Sequence, residues 1–123
     1  MTMMQRILGL VLGVLMMPGA ALAGQCGYEL CWGAVAVGNN GAWGTAYGQY
    51  SESAAVNRAQ SGCQGNCNIV RAFYNSCAAI AMADNGGWGW ATEKNRELAE
   101  SSAMNYCMDY GRNCRVKVWS CSP

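Results

Sequence analysis

The chain contains one pattern twice. Ala34-Val35-Ala36-Val37-Gly38-Asn39-Asn40-Gly41-Ala42-Trp43-Gly44 matches Ala79-Ile80-Ala81-Met82-Ala83-Asp84-Asn85-Gly86-Gly87-Trp88-Gly89 at an offset of 45, with six of the eleven positions identical. Both copies set Asn-Gly between apolar runs, the short-range signature of a β-hairpin whose central turn residues take positive φ. Downstream, Ser51 and Asn95 stand as N-caps of two helices. Ala55, Ala59 and Cys63 form an apolar stripe on the first. Ala99, Ala103 and Cys107 form the same stripe on the second, joined by Tyr106 and Tyr110. Stripes of alanine predict helices lying close to a sheet, because small side chains permit close approach. Gly62 and Gly111 stand where helices end, and strands follow over 68–74 and 115–119. The reading is ββαβ, twice: an α+β domain, an antiparallel sheet carrying two helices, with repeat units of about 31–77 and 77–121.

The cysteines bind this pattern together. All eight, Cys26, Cys31, Cys63, Cys67, Cys77, Cys107, Cys114 and Cys121, follow residue 25. An even number in a short exported chain implies disulfides, with about a hundred possible pairings. The repeat narrows them. Cys63 and Cys107 end the helices while Cys67 and Cys114 begin the next strands, so each pair closes locally, Cys63 with Cys67 and Cys107 with Cys114. Cys77 and Cys121 end the last strands of the two repeats and pair to shut the second unit. Cys26 and Cys31 remain and pin the N-terminus. Zinc is the rival reading, but there is no CxxC pair, so no metal and no cofactor are expected.

Residues 1–23 read as a secretory signal: Arg6 is the lone charge, 7–17 is an apolar run, Pro18 breaks it, and Ala21-Leu22-Ala23 is a small-x-small cleavage site. The run is well short of the roughly 20 residues that span a bilayer. Gln25 before Cys26 disfavours lipidation. The expected mature protein is therefore a single periplasmic or secreted domain over 24–123, with no membrane insertion after cleavage. With Arg6 in the leader, seven basic side chains balance seven acidic ones, which lacks the basic footprint that nucleic acid requires. Charged residues are only 12% and hydrophobic ones 52% of the chain, which excludes disorder. There is no histidine, which excludes Ser-His-Asp and Cys-His catalysis and histidine-ligated metals.

Trp32-Gly33-Ala34-Val35-Ala36-Val37-Gly38, Asn85-Gly86-Gly87-Trp88-Gly89-Trp90 and Cys114-Arg115-Val116-Lys117-Val118-Trp119-Ser120-Cys121 resemble a bacterial family of small exported domains, domain of unknown function 4189. The resemblance spans essentially all of 24–123. Ala78 after Cys77 departs from the glycine usual there, and the Cys26/Cys31 pair is an addition. The resemblance implies fold and compartment, and no reaction.

Candidate functional residues are mainly aromatic. Trp43, Tyr47, Trp88 and Trp90 lie on the outgoing hairpin strands, with Tyr50 just beyond, and alternation puts Trp88 and Trp90 on one face. Exposed, such indoles make a sugar-stacking platform or an interface hot spot; buried, Trp43 and Trp88 would pack the two units together. Glu93, Glu97 and Glu100 are spaced for one face of the second helix, and a solvated edge beside Lys94 and Arg96 accounts for them. No serine sits in a nucleophile motif, and a redox C-x-x-C is missing. Three functions follow in order. The first is a non-enzymatic binding domain, of inhibitor or immunity type, that docks an envelope or extracellular protein. The second is envelope-glycan (peptidoglycan) recognition. The third is a small hydrolase using Glu93 or Glu97 with Asp109.

Overall fold

The computed structural model describes residues 24–123, so the signal-peptide reading of 1–23 lies outside the described residues. Strand β1 is Trp32–Val37, β2 Trp43–Gln49, helix α1 Glu52–Gly62, β3 Ile69–Tyr74, β4 Ser76–Met82, β5 Trp88–Glu93, helix α2 Arg96–Met108 and β6 Arg115–Ser122. The doubled ββαβ order is thus present. Each unit closes its own three-stranded antiparallel sheet, β2-β1-β3 and β5-β4-β6. The expected antiparallel sheet is therefore two sheets, one per unit.

Side-chain size explains the layering. Alternation along β1 sends Ala34 and Ala36 toward α1, where they pack with Ala46, Ala55, Ala59 and Cys63. In the second unit Ala79, Ala81 and Ala91 meet Ala99, Ala103 and Cys107 of α2. The intervening residues are larger. Val35, Val37 and Phe73 of one sheet pack against Ala78, Ile80 and Val118 of the other. The order is helix, sheet, sheet, helix, with small residues under each helix and branched ones between the sheets. Val35 and Ile80 are fully buried, and each contributes about 1.5–3 kcal/mol by leaving water. Two serines seal the join: Ser120 Oγ donates to the Ala46 carbonyl at 3.0 Å, and Ser122 Oγ accepts from the Gly48 amide at 2.8 Å.

The caps are where the sequence places them. Ser51 accepts from the Ala54 amide and Asn95 from the Leu98 amide. Helix α1 ends at Gly62, whereas α2 stops at Met108, short of Gly111. The hairpin loops are longer than a two-residue turn, since each is closed by a bond from Gly38 N–H to Ala42 or from Ala83 N–H to Gly87. Asn40 and Gly41 both take positive φ (66° and 78°), but in the second copy only Gly86 does (89°).

All four expected disulfides are formed: Cys26–Cys31, Cys63–Cys67, Cys77–Cys121 and Cys107–Cys114. Cys77 does not end the first unit's last strand, however. It lies near the start of β4, directly opposite Cys121 in β6. The units meet at Asn75, whose φ of 50° turns the chain between β3 and β4. Its side chain accepts from the Cys31 amide at 2.9 Å and donates to the Glu29 carbonyl at 3.1 Å, fastening the N-terminal loop.

Candidate interaction surface

Each unit has a groove between its second strand and the end of its helix. Glycine makes the approach close: a Cβ at Gly44 would collide with the Ala59 carbonyl, and one at Gly89 with the Cys107 amide. The two copies line this groove differently. In unit one Trp43, Arg58, Gln64 and Asn66 border a cavity of about 690 Å³. In unit two the cavity is about 860 Å³, its floor is Gly86–Glu93, and Tyr106 and Tyr110 form one side. Glu93 is the one charged residue lining it.

Tyr106 and Tyr110 were expected to extend the buried stripe of α2. They are instead 55% and 68% exposed. Tyr106 stands at the stripe's margin beside buried Cys107, and Tyr110 follows the helix end, so both rings flank the strand edge. The opposite side of the groove is formed by Trp88 and Trp90, both half-buried against the core between the sheets. The Arg71 guanidinium from β3 lies 5.0 Å from the Trp88 ring centre and 5.9 Å from that of Trp90, within cation–π range.

The five aromatic candidates fall in three places. Trp88 and Trp90 share the β5 groove. Trp43 and Tyr47, 58% and 69% exposed, lie on β2 beside Trp119 of β6, around a cavity of about 520 Å³. Tyr50 pairs with Tyr28 of the N-terminal loop, ring centres 6.2 Å apart. Trp43 therefore does not pack the units together, while its repeat partner Trp88 does. The sequence pattern does not mark Trp119, Tyr106 and Tyr110 as binding residues. Their one signal was aromatic character at the end or edge of an element.

The carboxylates are dispersed. Glu93 ends β5 rather than lying on α2, and accepts from Ser102 Oγ at 3.0 Å. Glu100 pairs with Arg96 at 3.1 Å, a surface ion pair of small worth. Glu97 is in the first turn of α2 and Asp109 caps its other end. At 1.5 Å per residue they stand about 18 Å apart along the axis, beyond the roughly 5–10 Å over which two carboxyls share a glycosidic bond. Among the described residues no group of His, Cys, Asp or Glu could hold a metal ion.

Residues 32–121 match the family described as Domain of unknown function (DUF4189). The chain belongs to this family. It is also similar to the NMR structure of Rv1813c from Mycobacterium tuberculosis, with 29% identity, a TM-score of 0.59 and 75% of each chain covered. No curated protein matches the chain significantly. The DUF4189 fold here carries four disulfides, and no helix among the described residues is long and apolar enough to cross a membrane. The disulfides are consistent with an oxidising environment.

Proposed function

We propose that this DUF4189 protein is a non-enzymatic binding domain, periplasmic or secreted, that docks a protein partner through the β5 groove in the manner of an inhibitor or immunity module. The observation that carries the reading is the contrast between the two copies of one groove. Unit one lines it with a single indole, Trp43, among Arg58, Gln64 and Asn66, and unit two with four rings, Trp88, Trp90, Tyr106 and Tyr110. Aromatic residues in a pocket are the usual anchors of protein interfaces. A frame held by four disulfides presents them with little ordering cost on binding.

The test is affinity capture from envelope extract with the oxidised protein. Tyr106→Ala/Tyr110→Ala is the informative variant, because both rings are exposed and their loss spares the core. Capture of one stoichiometric protein should survive Trp43→Ala/Tyr47→Ala and disappear with the tyrosine pair. Equal capture by both variants would remove the groove from consideration. A second reading is favoured by the other aromatic cluster: exposed Trp43 and Tyr47 offer ring faces for stacking on envelope glycan, beside Trp119, whose ring Arg96 covers from 3.8 Å. It predicts co-sedimentation with peptidoglycan that Trp43→Ala/Tyr47→Ala abolishes.

A further inference from the structure

Among the described residues, the floor of the β5 groove is a free sheet edge. The hairpin is closed by the Ala83 N–H to Gly87 carbonyl bond at 2.7 Å, and Ala81 faces Gly89, Ala79 faces Ala91 and Cys77 faces Glu93 across the ladder. Antiparallel pairs alternate between bonded and non-bonded. The peptide groups of Gly89, Ala91 and Glu93 thus point in toward β4, and those of Trp88, Trp90 and Thr92 point out into the groove. A bare edge of this kind invites another strand, and folded proteins guard it with charge, bulges or cover.

The other three edges are guarded. On β3, Arg71 Nη1 donates to the free Val70 carbonyl at 2.9 Å. The β2 groove holds Arg58, and β1–β2 pairing is interrupted by a register shift between Trp32 and Ala34. On β6, Lys117 stands on the edge. By contrast, Gly86 to Thr92 carry no charge of their own; the neighbouring cation, Arg71, lies over the Trp88 and Trp90 rings and donates to the Val70 carbonyl.

We infer that β5 takes an extended polypeptide segment of its partner as a fourth strand, bonded to the outward peptide groups of Trp88, Trp90 and Thr92. This rests on the groove reading above and names what enters it. A row of alternating donors and acceptors at the two-residue strand repeat is matched by another main chain, whereas a sugar has no such repeat. Charge fixes the chemistry further. The segment carries no cation where it passes the indoles, because Arg71 already lies over both rings, and no charge beside the tyrosines, where it would be desolvated without a partner. It carries a lysine or arginine where it meets the Glu93 carboxylate.

The experiment titrates the oxidised protein with acetyl-Lys-Val-Thr-Val-Ser-Val-amide and follows its backbone amides by NMR. A fully N-methylated twin keeps the side chains and removes every main-chain donor. Thr92→Pro is the matching protein variant, since its N–H points outward and the ladder to β4 loses nothing. The expected result is saturable shifts largest at Trp88, Trp90 and Thr92, at least tenfold weaker binding of the twin, and at least fivefold weaker binding to Thr92→Pro. Equal binding of the twin, or shifts confined to Tyr106 and Tyr110, would overturn strand addition while leaving the groove as the docking site. Silence up to millimolar peptide would overturn it as well, and the capture experiment with the tyrosine variant then decides the groove separately. Protection of the three edge amides that grows with protein concentration alone would make a second copy of this chain the occupant, and would equally overturn the proposal.

Discussion

At the scale of single residues, the repeat shows how one position acquires two fates. Trp43 and Trp88 both open the outgoing hairpin strand, yet Trp43 is 58% exposed and Trp88 packs on the core between the sheets. The difference lies on the opposing sheet. Arg71 of β3 pairs with Val35, and its counterpart Val118 of β6 pairs with Ile80. The arginine is long enough to lie over Trp88, and the valine is too short to do the same for Trp43. Trp88→Ala should therefore cost about 2 kcal/mol or more through the void it leaves. Trp43→Ala should stay within about 0.5 kcal/mol, as surface changes do. Urea unfolding with an unchanged slope measures both. The reverse ranking would mean that Trp88 is not part of the core.

At the scale of elements, the single residue Asn75 sets how the two units join. It holds a left-handed backbone and makes two side-chain bonds to the loop preceding β1. Asn75→Ala loses both bonds and strains the turn, while Asn75→Gly loses the bonds and relieves the strain. The expected costs are about 3 kcal/mol for alanine and about 1–2 for glycine, read from thermal or urea unfolding. Equal costs would show that the left-handed turn contributes nothing. No sequence signal marks Asn75, because its partners at Glu29 and Cys31 are 46 and 44 residues away. Local chemistry was readable: the Ser51 and Asn95 caps, the alanine stripes and the closing of Cys63 on Cys67 each depend on neighbours within a few residues. The two-sheet division was not, since a hairpin looks alike whichever sheet it joins. The run Ala34-Val35-Ala36-Val37 does carry the clue that both faces are covered, since an exposed face would alternate with polar residues. Glu93 was misplaced for a related reason. Its spacing to Glu97 and Glu100 is helical, but the Asn95 cap starts the helix after it. At the site, Trp88 and Trp90 on one face were legible. The flanking tyrosines were not, because periodicity cannot separate the margin of a stripe from its centre.

At the scale of the whole molecule, the two units solve one problem in different ways. In unit two the ends of β4 and β6 are tied by Cys77–Cys121. At the equivalent place in unit one, where Trp32 faces Tyr74 across β1 and β3, the two rings meet edge to face with centres 5.0 Å apart. An aromatic pair adds only about 0.5–1.5 kcal/mol beyond its burial. Closing the loop between Cys77 and Cys121, at a separation of 44, is worth about 4 kcal/mol in the chain-entropy treatment. The Cys63–Cys67 loop, at a separation of 4, is worth about 2. Removing the first pair as Cys77→Ala/Cys121→Ala should therefore lower unfolding stability about twice as much as Cys63→Ala/Cys67→Ala. The four bonds together contribute on the order of 10 kcal/mol, against a total of about 5–15 for a domain of this size. Much of the interior is alanine, which buries little area per residue, so the apolar layers have a small reserve. The fully reduced protein should lose its near-UV circular dichroism and fixed tryptophan emission at neutral pH. It should regain them on reoxidation. If native spectra persist under reductant, the three apolar layers alone hold the fold and export into an oxidising compartment is no requirement for it.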